Sequence, residues 1–171
     1  MTATAVPTDR ADGSHRAALC EVLGRYATGV VIITTVYGGR NVGLTVNSFT
    51  SLSLEPPLVL WCLNKRSATY TAFTTAEPFA VNVLAADQRD LAIRFTGLGE
   101  RFRGTTVRTG RFGLPILAGT VATLICRRHR LVPAGDHIVV IGGVEEYQQR
   151  PGPTLLFQDG GYRISSATPA T

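Results

Sequence analysis

The sequence predicts a mainly β protein, a closed antiparallel β-barrel with a few short helices. Seven or eight short segments are rich in β-branched and aromatic residues, and turn-forming residues separate them. The helical segments are insertions and do not alternate with strands as βαβ units would require. Closure of the sheet would also remove the exposed edges that so many short strands otherwise present.

The first helix is expected between a capping residue, Ser14, and Gly29, because apolar residues recur at i, i+3, i+4 and i+7: Leu19, Val22, Leu23 and Tyr26. The predicted strands after it are 30–36, 42–49, 58–63, 79–84, 120–131, 137–147, 155–157 and 162–164. Turns are expected at Gly38-Gly39, at Pro56-Pro57 and over 132–136. Short helices are predicted from a cap at Ser67 to Phe73 and over 87–95, whereas 97–114 has little periodicity.

A chain of 171 residues is long enough for one well-packed domain, expected over 14–165. Residues 1–13 are expected to form a disordered leader and 166–171 a disordered tail. No apolar run approaches the roughly 20 residues of a membrane span, and the first residues lack the layout of a secretory signal. A cytoplasmic protein with no membrane partner is therefore expected.

The net charge of +5 does not indicate nucleic-acid binding. Sixteen of the 17 basic residues are arginines, and they are scattered except over 127–130. Side chains of that run would alternate between the faces of a strand, which halves the basic patch. Three cysteines lie far apart without a CxxC spacing, so no metal site is expected and the thiols suit a reducing compartment: Cys20, Cys62 and Cys126.

Polar residues concentrate where the second predicted strand ends. Five hydroxyl- or amide-bearing side chains fall within seven positions: Thr45, Asn47, Ser48, Thr50 and Ser51. Val46 and Phe49 are expected to pack on the opposite face. Backbone N–H groups and hydroxyls suit the acceptors of an isoalloxazine ring, and amides beside N1 and O2 would stabilise the charge of a reduced flavin. The alternative is a solvent-facing strand with local side-chain turns.

Two further segments are candidates for ligand contacts. Lys65 and Arg66 precede Ser67, a predicted helix cap, and cations beside a helix start favour a phosphate; the alternative is a solvated cap with two surface cations. Arg94 could add a cation to the same phosphate or complement its own helix C-terminus. His137 opens a predicted strand, where it could bond a carboxamide or serve as an ordinary turn histidine.

No GxGxxG, P-loop, HExxH or GxSxG motif is present. The chain instead resembles the short-chain flavin reductases, whose fold is the FMN-binding split barrel, a Greek-key barrel, over about residues 17–164. The motifs that carry the resemblance are Ala27-Thr28-Gly29-Val30, Gly43-Leu44-Thr45-Val46-Asn47-Ser48-Phe49-Thr50-Ser51, Pro56-Pro57-Leu58-Val59-Leu60, Ala80-Val81-Asn82-Val83-Leu84, Gly113-Leu114-Pro115, Gly135-Asp136-His137 and Leu155-Leu156-Phe157.

The resemblance implies an NAD(P)H:flavin oxidoreductase that reduces FMN or FAD by hydride transfer from NADH or NADPH and supplies reduced flavin to a partner monooxygenase. It also implies a homodimer, for which the strands 30–36 and 120–125 are expected to offer surplus apolar surface. By position, Thr45, Val46, Asn47, Ser48, Phe49 and Ser51 would contact the flavin ring and ribityl chain. Lys65, Arg66 and Ser67 would contact its phosphate, and His137 the nicotinamide.

One motif departs from the family pattern: Gly143 stands where family members usually carry glutamate. This change could alter the dimer or the nicotinamide side of the site. Two alternative functions stay open from the sequence. One is a split-barrel protein that keeps its flavin and acts on its own substrate, and the other is a non-catalytic flavin- or haem-binding module.

Overall fold

The computed structural model describes residues 13–165, with side chains from residue 16 onward. Residues 1–12 and 166–171, the bulk of the expected leader and tail, lie outside the described residues, and Gly13 already belongs to the first helix. The described part contains three α-helices: Gly13–Gly24 (α1), Tyr70–Thr75 (α2) and Arg89–Thr96 (α3). None of them is long and apolar enough to cross a membrane.

Twelve strands account for most of the rest of the described chain, so the mainly β prediction is confirmed. They are Thr28–Gly29 (β1), Val31–Tyr37 (β2), Arg40–Val46 (β3), Thr50–Leu54 (β4), Pro57–Asn64 (β5), Pro78–Val83 (β6), Val107–Thr109 (β7), Pro115–Leu117 (β8), Ala122–Ala134 (β9), His137–Gln149 (β10), Leu155–Gln158 (β11) and Gly161–Ile164 (β12). Every pairing between them is antiparallel.

Seven strands form one sheet in the order β3-β2-β6-β9-β10-β5-β4. This sheet is rolled rather than flat, because the rings of Trp61 on β5 and Phe79 on β6 lie 5.9 Å apart although three strand spacings separate their strands. In a flat sheet that separation would be about 14 Å. The inner face thereby encloses a core that includes Val31, Leu63 and Val140.

The expected closure of the barrel is not confirmed. β3 and β4 are the two edges of the rolled sheet, and no ladder joins them among the described residues. They are nevertheless consecutive in the chain, and the three residues 47–49 connect one edge to the other. We call the gap between β3 and β4, crossed by this connection, the split.

The apolar run 30–33 is continuous because both of its faces are buried. Val31 and Ile33 lie in the inner core, whereas Val30 and Ile32 pack outward with α3 and β11 through Phe95 and Leu155. The expectation that 30–36 holds surplus surface for a partner is therefore wrong, since residues 30–35 are buried within the chain. In the other expected strand Val121 and Ile125 are buried as well.

Several element boundaries differ from the predicted ones. α1 ends at Gly24, five residues before the expected Gly29, and its apolar side chains Leu19, Val22 and Leu23 are exposed. α2 begins after Thr69 rather than after Ser67, because residues 64–67 first close a turn in which the Ser67 N–H donates to the Asn64 carbonyl at 3.0 Å. β9 and β10 extend until only Gly135 and Asp136 separate them, so the predicted loop over 132–136 is mostly strand.

Candidate functional site

The residues expected to hold the flavin ring lie in the connection across the split and in the ends of β3 and β4 that flank it. The Thr45 hydroxyl donates to the Ala92 carbonyl of α3 at 2.7 Å, and the Ser48 hydroxyl accepts from the Cys62 N–H of β5 at 2.9 Å. The Thr45 bond therefore fastens the end of β3 to α3, and the Ser48 bond fastens the connection to β5. Val46 and Phe49 pack against the inner core, as their spacing predicts.

Other groups of this connection stay available for a ligand. Asn47 and Ser51 have exposed side chains, Ser51 on the edge strand β4. The backbone N–H groups of Ser48 and Phe49 donate to no other described residue. The split thus presents an amide side chain, a hydroxyl and two backbone donors next to one another, which is a donor set suited to carbonyl and ring-nitrogen acceptors.

The predicted phosphate segment follows β5 directly. Arg66 donates its N–H to the Asn64 side-chain oxygen at 2.8 Å, which turns the chain out of the strand. The Ser67 hydroxyl does not cap α2. It lies 2.9 Å from the Thr69 hydroxyl and accepts a 3.3 Å bond from the Thr69 N–H, so the two hydroxyls form one small cluster.

His137 lies beside this segment, because it pairs with Asn64 at the end of the β5–β10 ladder. Its Nδ1 is 2.7 Å from an oxygen of the Asp136 carboxylate, and this hydrogen bond holds the pKa of Asp136 below its ordinary value. Lys65 bridges the same two elements, with its Nζ donating to the Gly135 carbonyl at 2.6 Å. The structure thus joins Lys65, a predicted phosphate contact, to the turn at Gly135, which is 70 residues away in sequence and next to the predicted nicotinamide contact His137.

A cavity of about 870 Å³ opens along the edge of β3. Its walls are residues 40–43 of β3, residues 68–69 before α2, and the loop 98–103. Arg40, Arg101 and Arg103 contribute positive charge against one carboxylate, that of Glu100. Its volume lies within the roughly 300–1,000 Å³ of small-molecule sites, and its surplus of cations suits an anionic ligand.

Arg94 does not line this cavity but supports the loop that does. Its guanidinium donates to the Arg103 carbonyl at 3.0 Å and to the Thr105 hydroxyl at 3.2 Å. Arg101, in the same loop, donates to the Gly97 carbonyl at 2.8 Å and to the Gly43 carbonyl of β3, and burial lowers its pKa. These bonds hold the loop against the strand edge.

Gly43 permits this close approach. A Cβ at this position would lie 2.7 Å from a ring carbon of Phe95, which itself stacks edge-on to Phe102 at 4.9 Å. Any larger residue would push α3 and the loop 98–103 away from β3. The glycine in the motif at 43–51 therefore has a packing reason that the sequence alone does not reveal.

A second cavity, of about 150 Å³, lies at the other end of β3. Thr45, Val46 and Asn47 form one wall, and the edge-to-face pair Phe157 and Tyr162 forms another. Burial raises the pKa of Tyr162. From Gly43 to Asn47 the strand covers about 13 Å, so the two cavities follow one strand edge, an arrangement suited to an elongated ligand.

Sequence reasoning missed the cavity residues Arg40, Thr69 and Arg101. The available signal was the run Glu100-Arg101-Phe102-Arg103, the densest charge cluster in the aperiodic segment 97–114. The sequence could not show that this run folds back onto β3. The contacts depend on Gly43 and on Phe95 and Phe102, which lie more than 50 residues further along the chain.

Comparison with known proteins identifies the family. Residues 23–166 match the family described as flavin reductase like domain. The chain is 39% identical over 150 residues to the FMN reductase (NADH) SmoA of Agrobacterium fabrum, covering 88% of this chain and 86% of the relative. It is 40% identical over 146 residues to the flavin-dependent monooxygenase reductase subunit HsaB of Mycobacterium tuberculosis, covering 82% and 78%.

Solved structures agree with this assignment. The nitrilotriacetate monooxygenase component B homologue of Mycobacterium thermoresistibile superposes with a TM-score of 0.89 at 37% identity, covering 94% of each chain. The NADH:FAD oxidoreductase SgcE6 of Streptomyces globisporus, solved with NAD and FAD fragments, gives 0.86 at 37% identity over 94% of this chain and 98% of that one. The resemblance inferred from the motifs is confirmed, and the chain belongs to the flavin reductase family.

Proposed function

We propose that this protein is an NADH-dependent flavin reductase that reduces FMN or FAD and passes the reduced flavin to a separate monooxygenase. The observation that carries the proposal is a set of donors at the two ends of β3: backbone N–H groups in the split that donate to no other described residue, and a cation-lined cavity of about 870 Å³ at the other end of the strand. An aromatic ring with several acceptors and a phosphate tail requires this pair of features. Relatives named as NADH-dependent FMN and FAD reductases support the same function.

The residues fit a flavin in the following roles. Asn47 and the N–H groups of Ser48 and Phe49 would hydrogen-bond the acceptor edge of the ring, with Ser51 beside them. Arg66, Ser67 and Thr69 would hold phosphate together with the cavity arginines, Arg40 foremost because its guanidinium makes no hydrogen bond or ion pair with another described residue. Bound nicotinamide and flavin supply the hydride transfer between them.

The protein's own contribution is orientation and charge stabilisation. Backbone donors aimed at the ring stabilise negative charge as it develops, and they need no rearrangement during the reaction. His137, held by Asp136, would orient the nicotinamide carboxamide so that the two rings stack in register. No side chain is required as an essential acid or base.

The homodimer is part of this proposal. α1 exposes Leu19, Val22 and Leu23, and Leu54 and Tyr147 are exposed by 86% and 79%. A second copy that covers such residues would also cover the open side of the ligand site. The interface between the two copies is expected to bury more than roughly 2,000 Å². Light scattering after size-exclusion chromatography tests this: a stable flavin-binding monomer of 18.3 kDa excludes an obligate dimer.

We also propose that the rolled sheet with its split corresponds to the split barrel of the family. We further propose that the reaction takes place in the cytoplasm, where NADH is available and the three thiols would stay reduced.

The test is steady-state oxidation of NADH with and without added flavin. A rate that rises and saturates with micromolar free FMN or FAD supports a reductase that uses flavin as a substrate. Bound flavin that does not react with NADH excludes it.

A further inference from the structure

Lys65 makes two bonds to the turn between β9 and β10. The β5–β10 ladder ends at the pair Asn64 and His137, and one residue further the Lys65 N–H donates to the Asp136 carbonyl at 3.0 Å. The Lys65 Nζ donates to the Gly135 carbonyl at 2.6 Å. We call the contact of Lys65 with these two carbonyls the hairpin clasp.

The turn has little other support. Residues 132–136 are all exposed, and Gly135 has a positive φ of 56°, as tight hairpin turns require. Among the described residues, both hydrogen bonds that reach Gly135 and Asp136 from outside the hairpin come from Lys65. The clasp therefore fixes where the tip of this hairpin lies relative to β5.

The position of His137 depends on that tip. Its Nδ1 is bonded to Asp136, so the imidazole moves with the turn. Because a carboxylate only accepts hydrogen bonds, Nδ1 is the donor to Asp136, and the Nε2 of a neutral imidazole is left as an acceptor. A shift of the turn would displace this acceptor.

We propose that Lys65 is a positioning residue for the nicotinamide side of the site and not a phosphate ligand. This inference rests on the proposed reductase function and on the assignment of His137 to nicotinamide. One of the three N–H donors of the Lys65 ammonium is engaged with the Gly135 carbonyl at 2.6 Å, which ties the ammonium to the turn and leaves it fewer donors for a phosphate than the Arg66 guanidinium has. Arg66, the next residue, is exposed, and its guanidinium makes no hydrogen bond or ion pair with another described residue, so it is available for a phosphate.

Two adjacent substitutions separate these roles, since each removes one positive charge. Lys65→Met is expected to raise the KM for NADH about three- to tenfold, the loss of one hydrogen bond, and to leave the flavin Kd within about twofold. Arg66→Met is expected to raise the flavin Kd and to leave the KM for NADH within about twofold. In a His137→Ala background, Lys65→Met should change the NADH KM by less than about twofold, because the two residues act through one contact.

Hydrogen exchange provides a readout without ligands. In the flavin-free protein, Lys65→Met should accelerate exchange of the residue 65 amide, whereas Arg66→Met should not. The inference is overturned by a raised flavin Kd with unchanged NADH KM, by independent effects in the double variant, or by an unchanged exchange rate. If the wild type fails to oxidise NADH with any flavin, the reductase function fails, and the exchange rate still decides whether the clasp exists.

Discussion

The hydroxyl of Ser48 accepts a hydrogen bond from the Cys62 amide at 2.9 Å. β4 stops pairing with β5 at Thr50 and Leu60, two residues before Cys62. Ser48 thus supplies the acceptor that β4 no longer provides, and it fastens the connection across the split to β5. The backbone donors proposed to meet the flavin ring lie in this fastened segment.

Ser48→Ala should therefore affect both stability and flavin binding. The Cys62 N–H would lose its partner in a part-buried position, which is expected to lower the free energy of unfolding by about 1–2 kcal/mol. A looser connection should also raise the flavin Kd. Urea denaturation checks the first effect, with Ser51→Ala, exposed on β4, expected within about 0.5 kcal/mol of wild type. Equal stability of the two variants would show that the Ser48 bond contributes nothing.

Gly142 and Gly143 are neighbours on β10 with opposite surroundings. A Cβ on Gly142 would lie 2.8 Å from Cε1 of Phe79, inside the core, whereas one on Gly143 would meet nothing nearer than the Arg127 carbonyl at 3.9 Å. Gly142→Ala should cost roughly 1–3 kcal/mol of unfolding free energy by overpacking. Gly143→Ala should be neutral or slightly stabilising. A Gly142→Ala protein as stable as the wild type would contradict this packing.

The resemblance to the family predicts a glutamate at position 143, where this chain has glycine. That position has room for a side chain, so its glycine is not a packing requirement.

Cys126 is expected to make the free energy of unfolding fall as the pH becomes alkaline. Burial, followed by the charge of Glu145, raises the pKa of its thiol from 9.0 to about 12. The pKa of this thiol is higher in the folded chain than in the unfolded chain, so the neutral thiol stabilises the fold. This stabilisation is complete below pH 9 and is lost as the pH rises from 9 towards 12, because the thiol ionises at a lower pH in the unfolded chain. Wild type should lose more stability over that interval than Cys126→Ala. Cys20→Ala, which removes an exposed thiol, should lose as much stability over this interval as the wild type. If Cys126→Ala also lost as much stability as the wild type, Cys126 would not be the source of the pH dependence.

Arg40 tests the cation-lined cavity without disturbing the scaffold. Its guanidinium lines the cavity and makes no hydrogen bond or ion pair with another described residue. Arg40→Met is expected to raise the flavin Kd severalfold at low salt and to weaken its salt dependence, with unchanged stability. Arg108→Met removes the same charge from an exposed position outside this cavity. If both variants lower affinity equally, net charge and not this cavity is responsible.

Local patterns in the sequence predicted most of the scaffold. The β-branched run at 31–36, the glycines at 38–39 and the proline pair at 56–57 each specify a strand or turn within a few residues, and the structure contains all of them. The strands β1, β4, β7 and β8 were missed. β4 contains three serine or threonine residues and two exposed leucines, so its strand state comes from pairing with β5 and not from its own pattern.

The site was predictable only in part. The polar cluster at 45–51 lies at the split, but the use of Thr45 and Ser48 as scaffold bonds could not be foreseen, because their partners Ala92 and Cys62 are set by the roll of the sheet. The proximity of Lys65 to His137 likewise arises from the β5–β10 register. A flavin contact for each candidate residue stays a prediction.

The most direct measurement is anaerobic reduction of excess free FMN and FAD by NADH, followed by the visible absorbance of the flavin. A reductase that releases its product should consume flavin far in excess of the protein, and filtration should recover reduced flavin apart from the protein. Bleaching that stops once the protein-bound flavin is consumed, or no bleaching with either flavin, would contradict the proposed function.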